Sequence, residues 1–274
     1  MQNRLFVANK PPFISSNRFL SHIKREFGVK KAGFSGTLDP FATGVLIVAF
    51  GQYTKLFQFL KKSPKRYIAT LWLGAVSDSF DIENVKEIKD IDRIDLKSIN
   101  SVLKSLKTEI EYLPPKYSAK KIDGKRAYNL ARDDIEFKLK AIKSTIYDIK
   151  LLSYMHPFIT FDITISEGGY IRSIAQIVAD KLGVKGTLSS LRRVSEGEFV
   201  YDEKKSLDPL PYLDLKENLY LSDINDILLG KKLKKENFKY QEDGNYFIIC
   251  DKMLSVITIN GLEVKYRLNG VKLC

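Results

Sequence analysis

Ile159, Phe161, Ile163 and Ile165 alternate with Thr160, Asp162 and Thr164, the two-residue period of a strand that buries one face. Directly afterwards Ile171, Ile174, Ala175, Val178 and Leu182 recur at helical spacing. Upstream, residues 4–8 predict a short strand closed by Lys10-Pro11-Pro12. Phe19, Leu20, Ile23 and Phe27 then share one face of a helix, capped by Ser15 or Ser16 and stopped by Gly28. The apolar run 45–50 enters the core, residues 51–60 predict a helix, and residues 67–73 predict a strand ending at Gly74. Leu96, Ile99, Leu103, Leu106 and Ile110 predict an amphipathic helix.

Near the C-terminus the pattern predicts a helix over 222–229 and a β segment over 246–268 with Asn260-Gly261 as a hairpin turn. Between them lie Gly230 and a basic run, Lys231-Lys232-Leu233-Lys234-Lys235. Helices and strands intersperse without a βαβ rhythm or a phosphate fingerprint, which predicts an α+β fold. Asp208-Pro209-Leu210-Pro211 marks a boundary between a domain over 1–210 and a small region over 211–274.

Composition narrows the partners. The formal net charge of +12 over 274 residues favours polyanions, although solvated surface lysines explain it nearly as well. Two cysteines, Cys250 and Cys274, and two histidines, His22 and His156, form no zinc set, so no metal is expected. The cysteines are expected to be free thiols. No apolar stretch is long enough to span a bilayer, and a cytoplasmic protein is expected.

The densest chemistry lies in Lys31-Ala32-Gly33-Phe34-Ser35-Gly36-Thr37-Leu38-Asp39-Pro40-Phe41-Ala42-Thr43-Gly44-Val45-Leu46. Three glycines and a proline set one carboxylate, Asp39, at a rigid corner in front of an apolar run. An isolated Asp-Pro is usually only a turn. Here about a dozen positions in order resemble the signature of the TruB family of tRNA pseudouridine synthases. That resemblance makes Asp39 the catalytic nucleophile. Phe34 stands where the family commonly has histidine; it keeps the capacity to stack on bases and loses the hydrogen bond.

Further segments resemble the family. Lys65-Arg66-Tyr67 matches its Lys-Arg-Tyr motif, which implies that Tyr67 stacks on the target base and takes part in proton transfer. Gly168-Gly169-Tyr170-Ile171-Arg172-Ser173 matches Gly-Thr-Tyr-Ile-Arg, with Gly169 in place of threonine, and implies that Arg172 pairs with Asp39. Tyr170 and Leu191 (in Ser190-Leu191-Arg192-Arg193) fall where the family lines its uridine pocket. Asp81 lies near a family acidic segment, which gives it a supporting or substrate-contacting role.

The stretch from Leu113-Pro114-Pro115-Lys116-Tyr117-Ser118-Ala119-Lys120-Lys121 to Gly124-Lys125-Arg126-Ala127-Tyr128 corresponds to an insertion, over about 113–134, that clamps an RNA stem-loop. Its lysines alternate with tyrosines, so Tyr117 and Lys120 combine stacking with phosphate contact. Lys55, Lys61, Lys62, Lys65 and Arg66 are expected to extend that basic surface.

The resemblance implies a pseudouridine-synthase fold, with a mixed, largely antiparallel sheet flanked by helices, closed by a short or divergent PUA-like region. It implies isomerisation of the uridine at tRNA position 55 in the T-arm, with no cofactor, no guide RNA and a monomeric enzyme. Two other readings stand beside it: a non-catalytic tRNA-binding or folding chaperone, and a synthase for another RNA. Asp39, Tyr67 and Arg172 together argue against the first, since a chaperone has no chemical need for all three.

Overall fold

In the computed structural model, residues 3–118, 120–122, 124–133 and 135–274 are described, with the backbone alone at 121, 122, 125, 126, 129, 131 and 132. The first half runs β1 (Arg4–Lys10), α1 (Ser16–Glu26), β2 (Ala32–Ser35), β3 (Thr43–Phe50), a 3-10 helix (Gly51–Phe59), β4 (Lys65–Leu73), β5 (Ala75–Ser77), β6 (Val85–Ile88), α2 (Leu96–Ser105) and β7 (Glu109–Tyr112). Then come β8 (Lys121–Ile122), β9 (Lys125–Arg126), α3 (Ala127–Arg132), β10 (Ile142–Met155), β11 (Phe158–Ile165), α4 (Ile171–Lys181) and β12 (Gly186–Glu196). The C-terminal part adds β13 (Lys216–Glu217), α5 (Ile224–Leu228), β14 (Gly244–Cys250), β15 (Met253–Asn260) and β16 (Glu263–Lys272).

Among the described residues the main sheet has eight strands, in the order β1-β3-β12-β4-β11-β10-β7 with β2 also on β3. Its pairs are antiparallel except β3 with β12. β1 follows β3 from Arg4 against Phe50 to Lys10 against Gly44. The opposite edge of β3 is shared: β2 pairs with residues 47–50, and β12 runs beside Thr43 and Gly44. β3 thus roots a fork, and the chain leaving β2 at its mouth is the loop that carries Asp39.

Alternation in β4 and β11 turns Tyr67, Ala69, Leu71, Ile159, Phe161 and Ile163 into one core with Ile174, Ala175 and Val178 of α4 and Ile99 and Leu103 of α2. α1 rests on the β1–β3 end through Ile23, Phe6, Ala8 and Val48. The small sheet β13-β14-β15-β16 packs Leu254, Val256, Leu268 and Val271 against Leu5, Val7, Val45 and Ile47.

Several expectations shift in detail. Residues 51–59 take the tighter 3-10 form. The apolar spacing through Ile110 overruns α2, which stops at Ser105 when the Leu106 N–H bonds back to Leu103 and Lys104. Ile110 instead lies in β7, paired with Ser144 of β10. Periodicity gives no warning of β10 or β12. Cys250 is buried and Cys274 exposed, both free.

Candidate active site

Four anchors hold the Asp39 loop. The buried Ser16 hydroxyl donates to the Leu38 carbonyl at 2.9 Å and accepts from the Leu38 N–H at 3.0 Å. The buried Lys10 ammonium donates to the carbonyls of Pro11, Ile14 and Pro40 at 2.9, 2.7 and 3.0 Å. The Ala42 N–H closes a turn onto the Asp39 carbonyl. Across the fork, Arg193 donates from Nε to the Val45 carbonyl (2.8 Å) and from Nη2 to the Gly36 carbonyl (2.6 Å).

Arg193 does not stand alone. Its Nη2 lies 3.2 Å from Glu196 Oε2, and Lys65 Nζ lies 3.1 Å from Glu196 Oε1, with Arg193 and Glu196 almost wholly enclosed. Gly36 sits over this cluster at φ +68°, where a Cβ would fall 2.7 Å from Glu196 Oε1. Gly44 has φ +102°, and a Cβ there would lie 2.2 Å from the Arg193 carbonyl. Both positions therefore require glycine on conformation and on space. The expectation that Lys65 extends a basic surface is wrong: it is buried against Glu196. Arg66, whose side chain is partly exposed, is bound through Nε and Nη2 to the buried Asp162.

Arg172, on the first turn of α4, is the hub of the site. Its Nε lies 2.9 Å from Asp39 Oδ2 and its Nη2 3.0 Å from Asp39 Oδ1, a two-pronged pairing that fixes the carboxylate plane. Nη1 donates to the Ser79 carbonyl (2.8 Å) and to Asp81 Oδ2 (3.3 Å), and Nη2 also reaches the Tyr117 carbonyl at 2.8 Å. Asp81 is itself buried, accepting from the Ser79 hydroxyl at 2.7 Å and the Glu83 N–H at 3.1 Å. Asp39 lies deep among protein atoms, yet a third of its side chain still faces the cleft. Withdrawal from water pushes its carboxyl above the usual value of 3.8, against the pull of Arg172, while Asp81 pushes it further up and Lys10 pulls it down. Burial likewise lowers Lys10 to about 8, with Asp39 opposing.

The Asp39 carboxylate opens into a cleft of about 340 Å³, lined also by Tyr67, Lys120, Tyr170, Arg172 and Leu191. This is the size of a small-molecule site. Asp81 and Tyr117 reach the site through Arg172, the second by its backbone. Phe34 and Lys55 are not among the lining residues. Phe34 lies half-buried on β2, packed at the edge of the α1 core, and Lys55 is exposed on the 3-10 helix. Ala119 lies outside the described residues, as do the side chains of Lys121, Lys125 and Arg126. At Gly169 the Ile165 side chain fills the place of a side chain, 2.5 Å from where a Cβ would be.

A larger cavity of about 1170 Å³ lies between residues 135–139 and α4, lined by Ser173, Gln176, Tyr117 and Lys138 among others. Asp39 does not line it. Lys10, Arg193 and Glu196, which motif reading left without a role, prove to support the loop, and so does Ser16: the cap of α1 is Ser15, and Ser16 binds Leu38 instead. Only the Lys10-Pro11-Pro12 stop, the Arg192-Arg193 pair and the choice of caps marked any of them in the chain.

Residues 24–171 match the model of the TruB family pseudouridylate synthase (N terminal domain). A "tRNA pseudouridine synthase B" of Sulfurovum sp. (strain NBC37-1) is 54% identical over 269 residues, 98% of this chain and 97% of that protein. One of Campylobacter concisus (strain 13826) is 52% identical over 272 residues, 99% of this chain and all of that protein. Among solved structures, a Cbf5-Nop10-Gar1 complex has a chain with TM-score 0.68 and 21% identity, covering 98% of this chain and 84% of that one. A likeness at that identity speaks for the fold alone. With a family model matched over more than half its length and relatives above 50% identity end to end, the chain belongs to the TruB family of pseudouridylate synthases.

Proposed function

We propose that this protein isomerises the uridine at position 55, in the T-loop of tRNA, to pseudouridine, with Asp39 as its nucleophile. The observation that carries the reading is the carboxylate of Asp39, clamped on both oxygens by Arg172 and open to a nucleoside-sized cleft. The names of the relatives support tRNA as the substrate. The reaction breaks the bond from C1′ to N1 of uracil, joins C1′ to C5, moves the C5 proton away and leaves a proton on N1. No electron or group is gained, so the residues must supply a carboxylate that attacks the uridine, an acceptor for the C5 proton and a pocket that retains the freed base. Arg172 keeps Asp39 oriented, Tyr67 and Tyr170 offer aromatic faces to a flipped base, and Leu191 closes the apolar side.

Extruding a loop uridine costs a few kcal/mol. The basic stretch with Tyr117 and Lys120 is suited to offset it through phosphate contacts and stacking. We read residues 1–210 as the catalytic domain, the segment over about 113–134 as its RNA clamp, and 211–274 as a PUA-like RNA-binding region. The enzyme is read as a cytoplasmic monomer that needs no guide RNA; among the described residues no helix is long and apolar enough to cross a membrane. Pseudouridine mapping in total RNA from cells with and without the protein tests the assignment. Loss of the T-loop pseudouridine is expected on deletion, and an unchanged T-loop with loss elsewhere would transfer the activity to another RNA.

A further inference from the structure

Phe13 combines two local costs. Its φ is +58°, a left-handed conformation that strains any bulky side chain, and 70% of its surface is exposed. Among the described residues, the other non-glycine positions with positive φ are Phe80, Glu203, Lys204, Asp251 and Lys252. Phe80 is half-buried and the others are polar, so Phe13 is the one large apolar group held out in this way.

The turn explains the backbone but not the ring. Residues 11–14 curl around the Lys10 ammonium so that it reaches the carbonyls of both Pro11 and Ile14. A glycine at position 13 would make that curl without strain. The same ammonium holds the carbonyl of Pro40, next to Asp39, and Ser16 holds Leu38 on its other side. The Phe13 turn is thereby latched to the loop that carries Asp39, with its ring left exposed. Nearby in the chain Pro12, Asn17 and Arg18 are exposed, and the first turn of α1 carries no acidic residue. An exposed aromatic ring is a platform on which an unstacked base can stack.

We propose that Phe13 is a stacking platform for a nucleobase of the substrate RNA that neighbours the uridine delivered to Asp39. This rests on the reading of the site as one for a T-arm stem-loop. Stacking of a base on an aromatic side chain corresponds to about a 5- to 150-fold change in affinity on removal of the ring. The ring acts on binding rather than on the bond-breaking step, so its loss appears in Kd and KM and not in kcat.

The test compares wild type, Phe13→Gly and Phe13→Trp by T-arm stem-loop RNA binding, steady-state kinetics and thermal unfolding. Phe13→Gly is expected to raise Kd and KM about 5-fold or more while Tm stays level or rises, because the strain is relieved. Phe13→Trp is expected to bind as wild type does. Equal affinity of Phe13→Gly and wild type would overturn the proposal. So would equal weakening in both variants, or a fall in Tm that accompanies the loss of binding. If wild type itself neither binds nor modifies the T-arm RNA, the substrate reading fails, and the proposal with it.

Discussion

Asp39 must be ionised to act as a nucleophile, and its surroundings make ionisation harder than in water. Its pKa lies above 3.8, so protonation begins at higher pH than for an exposed aspartate, and the acid limb of the pH–kcat/KM profile is expected above that value. Arg172 opposes the shift; Arg172→Gln should move the limb to still higher pH and lower kcat/KM at neutral pH at least 10-fold, read from initial rates. An acid limb unmoved by that substitution would contradict the pairing. Asp39 and Arg172 were legible because each sits in a motif with its own neighbours. Lys10 and Glu196 were not, since a charged residue in a sequence looks solvated until its buried partner is known. Phe34 shows the opposite limit: the motif marks it, but β2 sets its side chain against the α1 core, away from the cleft lining.

At the scale of elements, the fork of β3 depends on charges that the strands bury between them. Glu196 faces both Lys65 and Arg193, so Glu196→Gln leaves two cations enclosed with no anion. Removing one partner of a buried pair typically costs about 3–5 kcal/mol, and urea unfolding should show a loss of that size. Gly44→Ala should also destabilise, because the added methyl meets the Arg193 backbone where β3 and β12 join. β4, β11 and α4 were readable from the chain because each buries a single face with a regular period. β12 was not, since it carries Arg193 and Glu196 inward amid apolar positions. β10 was hidden for a different reason: most of its residues are exposed or half-exposed, so hydrophobicity leaves little trace of it. Ile110 continued the spacing of α2 by coincidence; its ladder to β10 decides otherwise.

Over the whole molecule, composition suggests a boundary near Pro211, but it gives no sign of the packing between the residues on its two sides. Leu254, Val256 and Val271 share a core with Leu5, Val7 and Ile47, and the Cys274 N–H donates to the Tyr53 hydroxyl at 3.1 Å. A fragment of residues 1–210 would expose that face and is expected to be poorly soluble or protease-sensitive, as limited proteolysis would show. The charge of +12 predicts tRNA affinity that falls steeply as salt rises, with a linear log–log slope. The most direct measurement of the central claim is pseudouridine formation at position 55 of an unmodified tRNA transcript by the purified protein alone, beside its Asp39→Asn variant. Product from the wild type and none from a variant that still binds the tRNA is the predicted result; substantial pseudouridine from Asp39→Asn, or none from the wild type, would contradict it.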